Sequence, residues 1–279
     1  MQRAARLPLA PDAALHIVHA VPDDVPAAVR DRVEANARRQ LGQAADAAAR
    51  SSARAGNVSL AISPELVHGR GHVEIIRKAR AHDVDLIVLG RHGRRPVHDL
   101  FLGSTAERVA RMSGLPVLVV NTRSERPYQR AVVAIELSDV ARRIVELASQ
   151  LIEPELGVCW LVHAFHIPFE GMMRSALAPR AMAAYRAESR DNAAAELERL
   201  VGPLGDAATR RKPVLRAGSP ESVIAGEAAR RRADLVAIGT HARSGLAHAL
   251  LGSVATWVLR NVACDVVVAR PTRFTFEPP

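Results

Sequence analysis

Two stretches of this 279-residue chain carry the residue types needed to hold an anion. The first reads Gly90-Arg91-His92-Gly93, nine residues, then Gly103-Ser104-Thr105. The second reads Gly239-Thr240-His241-Ala242, nine residues, then Gly252-Ser253-Val254. Glycine lets backbone N–H groups come close to a phosphate oxygen. A serine at a helix start adds a hydroxyl, and the positive end of the helix dipole favours negative charge. Each stretch follows a short apolar run, DLIVLG or DLVAIG, and precedes a helical pattern. Each therefore reads as a loop between a buried strand and a helix start. The ligand chemistry of such a loop is that of the ribose and phosphates of a nucleotide. Gly-Lys-Ser/Thr is absent, so this is not a Walker loop and hydrolysis of that type is not expected. A structural use of the same residues is also open, because Ser104 and Glu107 have the spacing of a capping box.

Other constellations carry less. His16 and His19, like His163 and His166, have metal-like spacing. On a strand, residues three apart point to opposite faces, so no metal site is expected. His92 and His241 fall inside the glycine loops, where an imidazole can touch phosphate or cap the loop. Ser138 and Asp139 follow a strand and precede a helix, which suits a cap. No Ser-His-Asp or paired-carboxylate set is placed by spacing. Cys159 and Cys264 start or precede apolar runs and read as inert core thiols of a reducing compartment.

The elements that position these residues occur twice. A shift of 149 lays Gly69–Val120 over Gly218–Ala269 without a gap, with sixteen of fifty-two positions identical. A period this long means two copies of a domain rather than a solenoid. In the second copy the strands are AVVAIEL (131–137), CWLVHAF (159–165), KPVLRAG (212–218), DLVAIGT (234–240) and DVVVAR. Helical patterns alternate with them: DVARRIVELASQLI, a stretch from about 175 to 200, SPESVIAGEAARRRA with a Ser cap and an early proline, and SVATWVLRNV. Such alternation implies a parallel sheet covered on both faces.

The first copy follows the same order from its second strand: LHIVHAV, helix 25–54, NVSLAI, helix 71–82, DLIVLG, helix 104–113 and PVLVV. LHIVHA aligns with CWLVHA at an offset of 144, which sets His19 over His163 and Met1 over Val145. The first copy therefore has no counterpart of AVVAIELSD. An upstream stretch resembling that segment is expected in the reading frame. The polar segment NTRSERPYQR joins the copies, which gives domains at 1–122 and 129–272.

Composition bounds the function classes. Hydrophobic residues are 48% and charged residues 24%, the balance of a soluble globular chain and not of a disordered or disulfide-built one. No apolar run is long enough to span a bilayer, and the start lacks the apolar core of a signal peptide. These features place the chain in the cytoplasm. The net charge of +9 is almost wholly arginine, since Lys78 and Lys212 are the only lysines. The arginines are spread along the chain and aromatics are 3%, which argues against a nucleic-acid face. The one tight run, Arg230-Arg231-Arg232, reads as a solvated helix end.

The loops and their flanks resemble the universal stress protein family, whose pattern is G-x2-G-x9-G-(S/T) followed by a helix and a valine-rich strand. Gly90, Gly93, Gly103 and Ser104 match in full, and LVAIGTHARSG…LGSVATWVLR…DVVVAR is similarly close. The resemblance covers nearly the whole chain as a tandem pair. It implies five-stranded parallel sheets of order 3-2-1-4-5, of the adenine nucleotide alpha hydrolase-like type, with strand 1 missing from the first copy. It also implies a stress-response protein that binds ATP or another adenine nucleotide as a sensor, with no metal site of its own. Carried over, the second site comprises Glu136, where the family usually has Asp, with Ala164, Gly239, His241, Ala242, Gly252, Ser253 and Val254. The first comprises Ala20, Gly90, Gly93, Gly103, Ser104 and Thr105, without a strand-1 carboxylate. Partners implied are an internal pseudo-dimer of the two copies through their last strands, and a homodimer; membrane and nucleic acid are not. Glu136 and Ala242 favour an alternative, an interaction protein that has lost its nucleotide. A related adenine-nucleotide hydrolase is a further alternative, against which stands the lack of a substrate domain.

Overall fold

The computed structural model describes residues 2–56, 60–91, 103–122, 126–138, 140–167, 170–202, 210–240 and 251–270. The chain forms two compact units that divide at Pro127–Tyr128.

The second unit contains β5 (Arg130–Ala134), α4 (Val140–Leu151), β6 (Val158–Phe165), α5 (Glu170–Ala176) and α6 (Pro179–Val201). It continues with β7 (Arg210–Ala217), α7 (Pro220–Arg231), β8 (Leu235–Gly239), α8 (Ser253–Asn261) and β9 (Asp265–Ala269). Parallel pairings β5–β6, β6–β7, β5–β8 and β8–β9 give the order β9-β8-β5-β6-β7. β5 is central, and its Ala131, Val132 and Val133 are fully buried. Apolar residues on both faces are what a parallel strand between two helix layers requires. α4 turns Ala141, Ile144, Val145, Ala148 and Leu151 inward, and α7 packs over β5 and β6.

Polar side chains pin the amino-terminal edge of this sheet. The Tyr128 hydroxyl donates to Asp265 Oδ2 at 2.5 Å, with Tyr128 1% and Asp265 0% exposed. Asp234 accepts from the backbone N–H groups of Gln129 (3.0 Å) and Arg130 (2.9 Å) at the entry to β5. Burial raises the Asp234 carboxyl above its ordinary value, and those two hydrogen bonds oppose the shift.

The first unit contains a 3₁₀ turn (Ala4–Arg6), β1 (Ala14–Val21), α1 (Ala27–Arg54), β2 (Ala61–His68) and α2 (Gly71–Ala81). Then come β3 (Ile87–Gly90), α3 (Ser104–Met112) and β4 (Val117–Val120). β1 pairs β2 and β3 pairs β4, both in parallel. Among the described residues no strand lies between β1 and β3, the place β5 holds between β6 and β8. The 3₁₀ turn packs on α1. At the offset of 144 its Ala4 and Leu7 fall over Ala148 and Leu151 of α4, and all four are buried.

Several boundaries differ from the expectations. The third strand of the first copy is not NVSLAI but Ala61–His68, with Pro64 inside it. Residues 57–59 of the expected strand lie outside the described residues. Pro64 and Pro213 match at the shift of 149, in β2 and β7. Each of these strands sits at the end of its sheet, where a missing N–H costs least. The helix expected from 175 to 200 is two helices, broken before Pro179, whose ring opens α6 at its first turn. The arginine run is not simply solvated. Arg230 and Arg231 reach back to Glu227, which is 2% exposed and also meets Arg216 at 3.0 Å. Arg231 further lies over the Trp160 ring at 5.3 Å.

Candidate nucleotide site

The turn from the third strand into the next helix is made the same way in both units. Gly69 has φ +130° and Gly218 φ +143°, a region L-residues avoid. The helix that follows Gly218 is capped by the Ser219 hydroxyl, which accepts from Ser222 N–H. The helices that follow the glycine loops start differently. The N-cap of α3 is Gly103 and that of α8 is Gly252. Ser104 and Ser253 are the first helical residues, and both are exposed. The capping box expected of Ser104 and Glu107 therefore does not form, because the residue at the cap position has no side chain. First-turn N–H groups of an α-helix have no intrahelical acceptor. A glycine cap leaves those of α3 and α8 without a side-chain acceptor from the cap residue.

In the second unit the predicted residues gather at the carboxyl ends of adjacent strands. β5 leads to β6 and β7 on one side, while β8 and β9 lie on the other. The strand order thus reverses between β5 and β8, the usual place for a ligand in an open parallel sheet. Glu136 follows β5 and is half-buried; Gly239 ends β8; Gly252, Ser253 and Val254 open α8. Ala164 sits near the end of β6, in register with Arg216 of β7. His163 Nδ1 lies 2.9 Å from the Ile135 carbonyl, which ties the end of β6 to the end of β5. The backbone N–H of Thr240 donates to Ala269 O at 3.0 Å and anchors the chain as it enters the loop. His241 and Ala242 lie outside the described residues.

Gly239 has a structural reason to be glycine. A Cβ there would stand 2.7 Å from Ile144 Cδ1 and 3.3 Å from Val140 Cγ1. The helical periodicity of ARRIVEL, which turns Ile144 inward, is the sequence signal for this contact.

In the first unit Gly103 N–H donates to Arg91 O at 2.8 Å and closes the neck of the loop. Arg91 is buried, and burial lowers its guanidinium below the ordinary value. A Cβ on Gly71 would lie 3.8 Å from Thr105 Cγ2 and 3.9 Å from Ala20 Cβ, so Ala20 and Thr105 flank the start of α2. Gly90 is exposed. Gly93 and His92 lie outside the described residues. Among the described residues no group of three or more His, Cys, Asp or Glu could hold a metal ion, and no helix is long and apolar enough to cross a membrane.

Comparison with known proteins gives a consistent result. A universal stress protein of Methanocaldococcus jannaschii is 35% identical over 68 residues, which is 24% of this chain and 42% of that protein. The matched segment thus spans less than half of that relative. A crystal structure of a universal stress protein from Archaeoglobus fulgidus covers 96% of this chain and 93% of its own, with TM-score 0.65 and 16% identity. A protein of unknown function from Pseudomonas aeruginosa covers 98% and 95%, with TM-score 0.57 and 18% identity. At these identities the two structures speak for the fold. The universal stress protein family model matches residues 1–121 and again 127–270, and the chain belongs to that family as a tandem member.

Proposed function

We propose that the second unit binds ATP or another adenine nucleotide, and that the protein acts in a stress response as a sensor of that ligand. The observation that carries the reading is the start of α8 beside the β5–β8 reversal. A glycine cap, an exposed Ser253 and first-turn amides stand where an anion is favoured, with the Glu136 carboxylate across the same strand ends. Phosphates would meet Gly252, Ser253 and Val254; ribose would meet Glu136; the base would lie along Ala164. No side chain is assigned as a general base, so binding without turnover is expected.

Titration of ATP into the full chain by calorimetry tests this, with Gly252→Arg as the control. Heat of binding in the wild type, lost in the variant, is the expected result. No heat in the wild type would overturn it. It would favour the second reading, an interaction protein without a nucleotide, for which the longer Glu136 side chain already argues. Phosphate release no faster than in buffer is expected throughout.

A further inference from the structure

The outer edge of β7 forms the floor of a groove of about 600 Å³. That volume lies within the roughly 300–1,000 Å³ of small-molecule sites. One wall is α6, through Arg190, Ala194, Leu197 and Glu198; the other is Arg216 with Arg231 of α7. β6 stands between β7 and the β5–β8 reversal, so the groove is separate from the glycine loop. Gly218 N–H donates to Phe165 O, and alternate residues of a strand bond to the same neighbour, so the even-numbered residues of β7 bond to β6. Pro213 and Leu215 therefore turn their backbone groups outward. Pro213 has no N–H, and Leu215 O already accepts from Arg216 Nη1 at 3.3 Å. An added strand would find one donor missing and one acceptor taken, so this edge is closed to it. Apart from Glu198, the polar side chains of the lining are guanidinium groups, and the outward Leu215 N–H is a further donor.

Charge and lining narrow the ligand. Arg216 and Arg231 each give Nε to the buried Glu227, at 3.0 and 3.2 Å, which holds both guanidinium groups in place. Arg230 reaches the same carboxylate but is not part of the lining. The Arg190 side chain is exposed and has no ion pair among the described residues. The guanidinium groups of Arg190, Arg216 and Arg231 against the carboxylates of Glu198 and Glu227 leave one positive charge, which a monoanion matches. The apolar lining is Ala194, Ala195, Leu197, Pro213, Val214 and Leu215, wholly aliphatic, with no ring for a base to stack on. The repeat adds an independent observation. At the shift of 149, Val214 and Arg231 answer to Glu65 and His82, which meet at 3.5 Å. The first unit thus supplies a carboxylate from its own strand where the second has an apolar residue. We propose that the groove binds an aliphatic carboxylate, its head on the guanidinium groups and its hydrocarbon body along Leu197, Val214 and Leu215.

The probe is decanoate, titrated into the full chain by calorimetry below its micelle-forming concentration. Acetate and decanol serve as the head alone and the tail alone. Decanoate is expected to bind about tenfold or more tighter than either. Arg190→Gln, at an exposed helix position, is expected to weaken decanoate about tenfold, and Ala194→Glu, which sets a carboxylate in the groove, to abolish its binding. An unchanged urea midpoint shows that a variant is folded; should Ala194→Glu fail that check, Arg190→Gln decides alone. Saturating ATP and the Gly252→Arg change are expected to leave decanoate binding as it is. The proposal is overturned by the absence of heat with decanoate. Decanol bound as tightly overturns it, since the guanidinium groups would then play no part. Undiminished binding in either folded variant overturns it too, and so does competition with ATP, which would put the carboxylate at the glycine loop.

Discussion

Gly239 and Gly90 match in the repeat, and a packing reason to be glycine is seen at Gly239, where it can be measured. A Cβ at 239 would stand 2.7 Å from Ile144 Cδ1. Carbon atoms pack at about 3.5–4.0 Å, so roughly 1 Å must be absorbed between β8 and α4. Ile144 is 2% exposed and has little room to move. Overpacking of this kind costs about 1–3 kcal/mol, and Gly239→Ala should destabilise the second unit by that amount. Ile144→Val removes the offending Cδ1 and alone should cost about 0.5–1.5 kcal/mol. If the clash is the cause, the double variant loses less than the sum of the singles, with a coupling of about 1 kcal/mol or more. Gly90 is exposed. Gly90→Ala should then stay within about 0.5 kcal/mol of wild type. Both tryptophans, Trp160 and Trp257, belong to the second unit, so their fluorescence in urea reports its unfolding directly. Additive losses in the double variant would refute the packing argument. So would a Gly239→Ala protein as stable as wild type.

Three further outcomes follow from the buried groups. Tyr128→Phe removes a donor to the fully buried Asp265 carboxylate and should cost about 1.5–3 kcal/mol in the same urea assay; a loss under about 0.5 kcal/mol would mean that this bond does not hold the start of β5. Burial pushes the Cys159 thiol up to about 11 and the Cys264 thiol up to about 12, from an ordinary 9.0. Both should resist a thiol reagent in the native protein at neutral pH and react once urea unfolds it. A raised folded pKa means that the folded chain keeps a proton the unfolded chain releases. The Cys264 contribution is therefore whole below pH 9.0 and lost as pH climbs toward 12. Stability should fall across that window, and less steeply in Cys264→Ala; an unchanged slope would remove Cys264 as a cause.

What could be read from the residues was whatever repeats or alternates. The strands of the second copy announce themselves as β-branched runs, and α7 by its Ser219–Pro220 start. That no strand is described between β1 and β3 is legible because the two copies can be laid over each other. The third strand of the first copy runs past the apolar run NVSLAI, because an outer strand tolerates Pro64 as β7 tolerates Pro213 at the matching position. The capping box failed for a subtler reason. The cap position belongs to Gly103, and one residue of shift turns Ser104 from a cap into an exposed first-turn hydroxyl.

Long-range compensation leaves no such trace in the sequence. Lys78 and Glu227 occupy the same position of the repeat with opposite charge. Lys78 pairs with Glu65 of β2, whereas Glu227 pairs with Arg216 of β7. The helix-to-outer-strand ion pair is thus kept while its polarity is reversed. The partner moves by two residues, from the position of Glu65 to that of Val67, because only alternate residues of a strand share a face. Neither residue is identical between the copies, so a count of identities passes over the contact. What the duplicated architecture preserves here is an opposite-charge pairing on one face of the sheet. The glycine loops are to be judged in the same way. A matching glycine marks a shared junction, and only the atoms packed against it decide whether the residue serves a ligand, as proposed at Gly252, or a neighbouring helix, as at Gly239.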